Sequence, residues 1–181
     1  MQEYVTDAIV LATFPRGEAD RVADLYTKDL GRIEARMIGG RKPLSKLAPH
    51  LDVLGFATVR LVEKNQFTLV DAMSAPLTPK SRAPERFEKM LEIASLVRAL
   101  APKGIRDERL WETLRRAQTE GELRALSEIL EILGYNARHA SCETCGETPV
   151  GYFFLPTHEF FCARCGSKLP ESEVVLLEEV Q

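Results

Sequence analysis

The spacing of apolar residues changes period once along the chain. Up to about residue 74 the period is two. Residues 3–14 (EYVTDAIVLATF) are rich in β-branched and apolar types and stop at Pro15-Arg16-Gly17, a turn signal. Residues 21–27 (RVADLYT) continue in the same style and close at Gly31. Residues 32–38 (RIEARMI) alternate strictly, with Ile33, Ala35 and Met37 on one face and Arg32, Glu34 and Arg36 on the other. That is the pattern of a half-buried antiparallel strand. Residues 39–50 hold two glycines and two prolines and predict a loop. Residues 53–62 and 67–73 predict two further strands, joined through Glu63-Lys64-Asn65-Gln66. Five short strands in so short a span predict a small closed barrel; a sandwich usually needs about seven.

Beyond this point three prolines fall in PLTPKSRAP, residues 76–84, and the period becomes that of a helix. Phe87, Met90, Leu91, Ala94 and Val97 form one stripe. Leu110, Trp111, Leu114 and Ala117 form a second, with Asp107 placed to cap its start. Gly121 separates it from a third, made of Leu123, Leu126, Ile129, Leu130 and Leu133 and closed by Gly134. The expected fold class is α+β with two domains. A five-stranded barrel occupies 1–76, a proline-rich joint 77–84, and a helical domain 85–181.

Charge adds one feature to this outline. The chain carries 24 basic and 27 acidic residues, a net charge of −3, which excludes a globally basic nucleic-acid binder. Between residues 31 and 46, however, Arg32, Arg36, Arg41, Lys42 and Lys46 face a single acid, Glu34. A local patch can act on phosphates whatever the net charge. Alternation extends the patch along a strand, and Gly39-Gly40 allows a close backbone approach while Pro43 limits the loop's freedom. These five residues are the expected phosphate contacts. The N-terminus lacks a basic lead and a long apolar core, and Val174–Leu177 is far too short to cross a bilayer, so a cytoplasmic location is expected.

The four cysteines form two C-x2-C-G knuckles, Cys142/Cys145 and Cys162/Cys165, each followed by glycine. This spacing predicts a closed tetrahedral thiolate site holding a structural Zn2+. A redox dithiol, a pair of disulfides and an iron–sulfur cluster are the other readings of the same residues. The aromatics between the knuckles, Tyr152, Phe153, Phe154, Phe160 and Phe161, are expected to form the core of a small hairpin, with base stacking as the other reading. His158 reads as a turn residue, because four cysteines already close the site. No phosphate loop, dinucleotide fingerprint, nucleophile elbow or H-E-x-x-H occurs, so no enzyme activity is expected.

Three stretches, IVLATFPRGEADRVADLYTKDLGRI (9–33), GGRKPLSK (39–46) and LSEILEILGYNARHASCETCG (126–146), together with the cysteine spacing, resemble the bacterial RecO recombination mediators over nearly the whole chain. The resemblance implies an N-terminal OB-fold and a helical C-terminal domain with an inserted, zinc-ribbon-like four-Cys site. It implies binding of single- and double-stranded DNA and annealing of complementary strands. It further implies work with RecR to load RecA onto DNA coated by single-strand-binding protein (SSB), and contact with the SSB tail. RecO proteins usually continue with more helix after the second knuckle. The resemblance therefore implies a shortened helical domain here, completed by a partner chain or a second copy, with the SSB-tail site affected. The residues alone also fit a zinc-containing protein–protein adaptor, or a zinc-ribbon factor for RNA or transcription.

Overall fold

The computed structural model describes residues 1–43, 45–74, 84–120 and 125–177. They form two compact units, Met1–Glu120 and Gly121–Gln181.

In the first unit, strands β1 (Gln2–Arg16), β2 (Asp20–Thr27), β3 (Gly31–Met37), β4 (Phe56–Glu63) and β5 (Phe67–Ser74) close into a barrel in the order β1-β2-β3-β5-β4. All pairings are antiparallel except β3–β5. Strand β1 is long enough to serve two neighbours, pairing with β4 from Gln2 to Ile9 and with β2 from Ala8 to Arg16. A register shift between Val10 and Ala12 bends it between the two. Small side chains close the interior: Ala8, Ala23, Ala35 and Ala57 are fully buried beside Leu25, Val59 and Leu61. The alternation expected for β3 is present, with Ile33, Ala35 and Met37 inside. The strand expected from Val53 starts only at Phe56, because Leu54 (φ 67°) and the Gly55 N–H bond to Asp52 O make a turn there.

Strand β3 meets β5 only at Ala35↔Phe67 and Arg36↔Thr68. Its other end is covered by the connection between helices α1 (Pro84–Leu100) and α2 (Glu108–Glu120). Lys103 bridges to Arg32, and the Gly104 N–H donates to Arg32 O at 2.8 Å. Gly31 (φ 66°) makes this approach possible, since a Cβ there would lie 2.0 Å from Ile105 O. Tyr26 Oη donates to Asp107 O from the adjacent strand at 3.3 Å.

Both helices therefore belong to the first compact unit, which ends at Glu120, well past the joint expected at 77–84. The division expected at 76 and the joint expected at 77–84 fall almost wholly on residues 75–83, which lie outside the described residues. The stripe of α1 is also rotated from the expected one. Met90, Ile93, Ala94, Leu96 and Val97 are buried, while Phe87 (56%) and Leu91 (38%) are exposed. On α2 the expected Leu110, Trp111, Leu114 and Ala117 are buried, and Asp107 Oδ1 caps the helix by accepting from Leu110 N–H at 3.0 Å. Among the described residues no helix is long and apolar enough to cross a membrane.

The second unit contains α3 (Ala125–Ile132), a sheet of β7 (Glu159–Phe161), β6 (Tyr152–Phe154) and β8 (Val174–Leu176) in that order, and the short helix α4 (Ala163–Gly166). Gly134 (φ 95°) ends α3 with Tyr135 N–H bonded to Leu130 O at 2.8 Å, the glycine-closed end that the sequence predicts. Leu126, Ile129 and Leu130 are buried; Gly121 and Leu123, also used in that expectation, lie outside the described residues. The aliphatic run 174–177 supplies the third strand of the sheet, pairing with β6 through Phe153↔Val175.

Candidate nucleic-acid interface and metal centre

One end of the barrel gathers three turns. The β3–β4 loop begins with Gly39 (φ 69°), whose N–H donates to Asp20 Oδ1 at 2.8 Å. The Arg41 N–H donates to Ala19 O at 2.9 Å, and Arg41 Nη1 donates to Gly17 O at 2.7 Å. The loop is thus laid on the β1–β2 turn. Arg16 Nη1 in turn donates to Gln66 Oε1 at 3.3 Å, reaching the β4–β5 turn that carries Lys64. Gly40 packs on the base of Arg21: a Cβ there would come within 3.2 Å of Arg21 Cβ and 3.1 Å of Met37 Cβ. Strand pairing sets Arg16 opposite Asp20 and Val22 opposite Arg36, so these side chains share the outer face of the sheet at this end. Arg36 is bound to Asp20 through Nε (2.8 Å) and Nη2 (2.5 Å) but keeps 39% of its side chain exposed. Arg41, Lys42 and Lys46 are exposed.

Of the five expected contacts, Arg36, Arg41 and Lys42 come together at this end. Lys46 lies exposed beyond them, before the short 3-10 turn Ala48–His50. Arg32 is placed differently. Its Nε and Nη2 donate to Asp24 Oδ1 and Oδ2 at 3.1 and 2.9 Å, and Nη1 reaches Ala101 O at 3.4 Å. Arg98 Nε from α1 donates to the same Asp24 Oδ2 at 3.2 Å, and its guanidinium lies 4.7 Å from the Phe14 ring centroid. The outer face of β1–β3 is therefore divided. The Asp24 end receives α1, and among the described residues the Asp20 end remains open. Arg16, which sequence reasoning left out, completes the open end, and its signal was a position just before the Gly17–Ala19 turn; Arg21 is exposed but is paired with Met37 and falls on the other face of β2. Among the described residues Asp20 is the one acid bonded into this surface, and the Gly39 amide and Arg36 guanidinium hold its carboxyl below the usual range.

The second unit brings Cys142, Cys145, Cys162 and Cys165 together, all four Sγ atoms lying within 4.8 Å of one another. Cys145 Sγ is 3.7 Å from both Cys162 Sγ and Cys165 Sγ. A tetrahedron with metal–sulfur bonds of about 2.3 Å has sulfur–sulfur edges of about 3.8 Å, so the donor set fits one ion of zinc size. The same separations are far beyond the roughly 2.05 Å of a disulfide, and all four cysteines are free. Each knuckle is closed by its glycine: Gly146 N–H (φ 72°) donates to Cys142 O at 2.7 Å, and Gly166 N–H donates to Cys162 O at 2.8 Å. Burial pushes the Cys142 thiol up, but N–H groups of Cys162, Cys145 and Thr144 outweigh it and bring the thiol down to about 6. Burial and hydrogen bonds from the other thiols push Cys165 up to about 12. A dication among the sulfurs would supply the charge that lets all four ionise. Arg164 Nη2, 3.3 Å from Glu147 Oε2, is held beside the cluster at the surface.

The aromatics beside the cluster are packing residues. Phe153 is fully buried, with Tyr135 and Phe160 ring centroids each at 5.0 Å in edge-to-face contact. His158 directs Nδ1 to Tyr135 Oη at 2.9 Å and joins this aromatic group, not the thiols.

Residues 1–75 match the family model "Recombination protein O N terminal". The whole chain is similar to proteins named DNA repair protein RecO. That of Thermodesulfovibrio yellowstonii is 25% identical over 96% of this chain and 74% of the relative. That of a Nocardioides species is 27% identical over 96% of this chain and 80% of the relative. A shorter match, 41% identical over 59 residues, covers 33% of this chain and 23% of the Dehalococcoides mccartyi protein.

Proposed function

We propose that this chain, a member of the RecO family, is a DNA repair protein that binds single- and double-stranded DNA across the open end of its barrel and anneals complementary strands. The barrel is read as an OB-fold, for which the order β1-β2-β3-β5-β4 and the single parallel β3–β5 pairing give support. OB-folds take oligonucleotides with the faces of strands 2 and 3 and with the loops β1–β2 and β4–β5. The observation that carries the reading is the bonded meeting of these loops with the basic one: Arg41 to Gly17, and Arg16 to Gln66. Arg16, Arg36, Arg41 and Lys42 then present cationic side chains to phosphates from one surface, with Lys64 on the adjoining turn.

Action on DNA follows from charge. Phosphates neutralised on one strand lower the repulsion met by its complement, so pairing is promoted without covalent chemistry, and the protein works stoichiometrically. RecR, RecA and the SSB tail are its proposed partners in loading RecA onto covered single strands, by family membership. The four thiolates are proposed to hold one structural Zn2+, which fixes the two knuckles to the hairpin. The decisive experiment is anisotropy titration of the intact protein with a fluorescent oligo-dT at several salt concentrations. Neutralising about four phosphates gives a slope of log K against log salt near −3 for single strands. A flat response overturns the reading.

A further inference from the structure

Asp20 is an acid in a surface read as a phosphate-binding one, and electrostatics alone would make it a liability there. Its bonds say otherwise. Oδ1 accepts the Gly39 N–H at 2.8 Å, and Oδ2 accepts Arg36 Nε at 2.8 Å and Nη2 at 2.5 Å. The side chain is only 14% exposed. It stands at the first residue of β2, opposite Arg16, where the backbone of the preceding residue, Ala19, accepts from Arg41 N–H. One carboxylate thus joins the last outward side chain of β3 to the first glycine of the loop, on the turn that seats the rest of that loop. Gly39 has a positive φ, and a loop entered through such a residue has many alternatives unless its amide is held.

We propose that Asp20 is a positioning residue of the DNA-binding surface: it orders Arg36 and the 39–42 loop so that Arg36, Arg41 and Lys42 face one strand together. This rests on the DNA reading given above. Its consequence has an unusual sign. Removing this negative charge from a basic surface weakens DNA binding, whereas removing the exposed charge of Glu18, two residues earlier in the same turn, does not.

The test compares D20A, D20N and E18Q in the full chain by oligo-dT titration across salt concentrations, with amide hydrogen exchange of residues 38–42 as an independent readout. D20A is expected to bind about tenfold more weakly, the scale of one lost charge-assisted contact. D20N, which still accepts from Gly39 N–H, is expected to fall between D20A and wild type. The salt slope of D20A should be shallower by about 0.7, one phosphate fewer. E18Q should bind at least as tightly as wild type. Exchange at Gly39 and Arg41 should rise in D20A while Leu25 and Leu61 in the barrel core keep their protection, which separates positioning from unfolding. If wild type binds but D20A binds as tightly as E18Q, or its loop exchange is unchanged, the inference is overturned alone. If wild type shows no salt-dependent binding, the DNA reading falls and takes the inference with it.

Discussion

Arg32 and Asp24 form a two-pronged ion pair on the outer face of the barrel, with N–O separations of 3.1 and 2.9 Å and exposures of 12% and 1%. Arg98 from α1 bonds the same carboxylate, so Asp24 holds the helix to the sheet. Truncating one member of a buried pair strands the other's charge and costs about 3–5 kcal/mol. Arg98 still pairs with Asp24 in Arg32→Ala, so this variant is expected to lower the stability of the first unit by less, about 1.5–3 kcal/mol, in denaturant titration. Its DNA affinity, measured under conditions where the variant is folded, should stay within about twofold of wild type, less than half a kcal/mol. A large affinity loss with unchanged stability would return Arg32 to the DNA interface.

The open end of the barrel behaves in the opposite way. Arg16, Arg41 and Lys42 are exposed, and among the described residues the Arg16 guanidinium bonds the Gln66 amide oxygen and that of Arg41 the Gly17 carbonyl. Replacing all three by Ala should change the unfolding midpoint little, since surface substitutions usually act within about 0.5 kcal/mol. The slope of log K against log salt on oligo-dT should become shallower by about 2, at about 0.7 per phosphate lost. The loss should be alike on all base sequences, because phosphate contacts carry no base information. Gel-shift titration on two unrelated sequences checks both points.

The contrast between these two groups shows where sequence was sufficient. Alternation in RIEARMI placed Arg32 and Arg36 on one outward face correctly, and β3 and β4 follow the two-residue period closely. The period could not show that a helix covers half of that face, because Asp24, Arg32 and Arg98 meet only after 74 residues of chain have returned to the barrel. The proline-rich stretch likewise carries no sign of where the chain beyond it packs. Composition marks a flexible connection, but what the following helix packs against depends on long-range contacts such as Gly31 with Ile105 and Phe56 with Trp111. The cysteine cluster was legible in full, since spacing within each knuckle is local chemistry. The third strand of its sheet was not, because VVLL has no alternation and its partner, Phe153, lies 22 residues away.

Metal removal should act on the second unit through its fold. The four Sγ atoms cluster within 4.8 Å, and the first knuckle reaches the hairpin through Glu143 N–H bonded to Phe160 O at 3.0 Å. Protein purified without added metal is expected to contain close to one equivalent of zinc by mass spectrometry. Chelation, or Cys142→Ser with Cys165→Ser, should release it and loosen the Phe153 environment, read as lost near-ultraviolet dichroism. The barrel end contains none of the ligands, so oligo-dT binding should persist under the same conditions. Less than half an equivalent of metal, with four reactive thiols, would remove the zinc assignment.

Gly166 offers a sharper test of how the second knuckle is built. It is buried in α4, and a Cβ there would stand 2.5 Å from Cγ and Cδ2 of Tyr152 and 2.8 Å from its Cβ. Such contacts lie well inside the normal packing distance of about 3.5–4.0 Å between carbons. The Tyr152 Cβ cannot move aside with the ring, because Tyr152 is in the central strand β6, paired to Phe161 on one side and Leu176 on the other. The same glycine donates its N–H to Cys162 O at 2.8 Å, so any shift of α4 moves Cys162 and Cys165 together. Gly166→Ala is therefore expected to weaken metal retention, with faster release to a competing chelator. Tyr152→Ala placed in the same chain should recover part of that loss by opening the space, a coupling that double-mutant comparison can detect. Equal release rates for wild type and Gly166→Ala would show that packing of Tyr152 on this glycine does not control the knuckle's geometry.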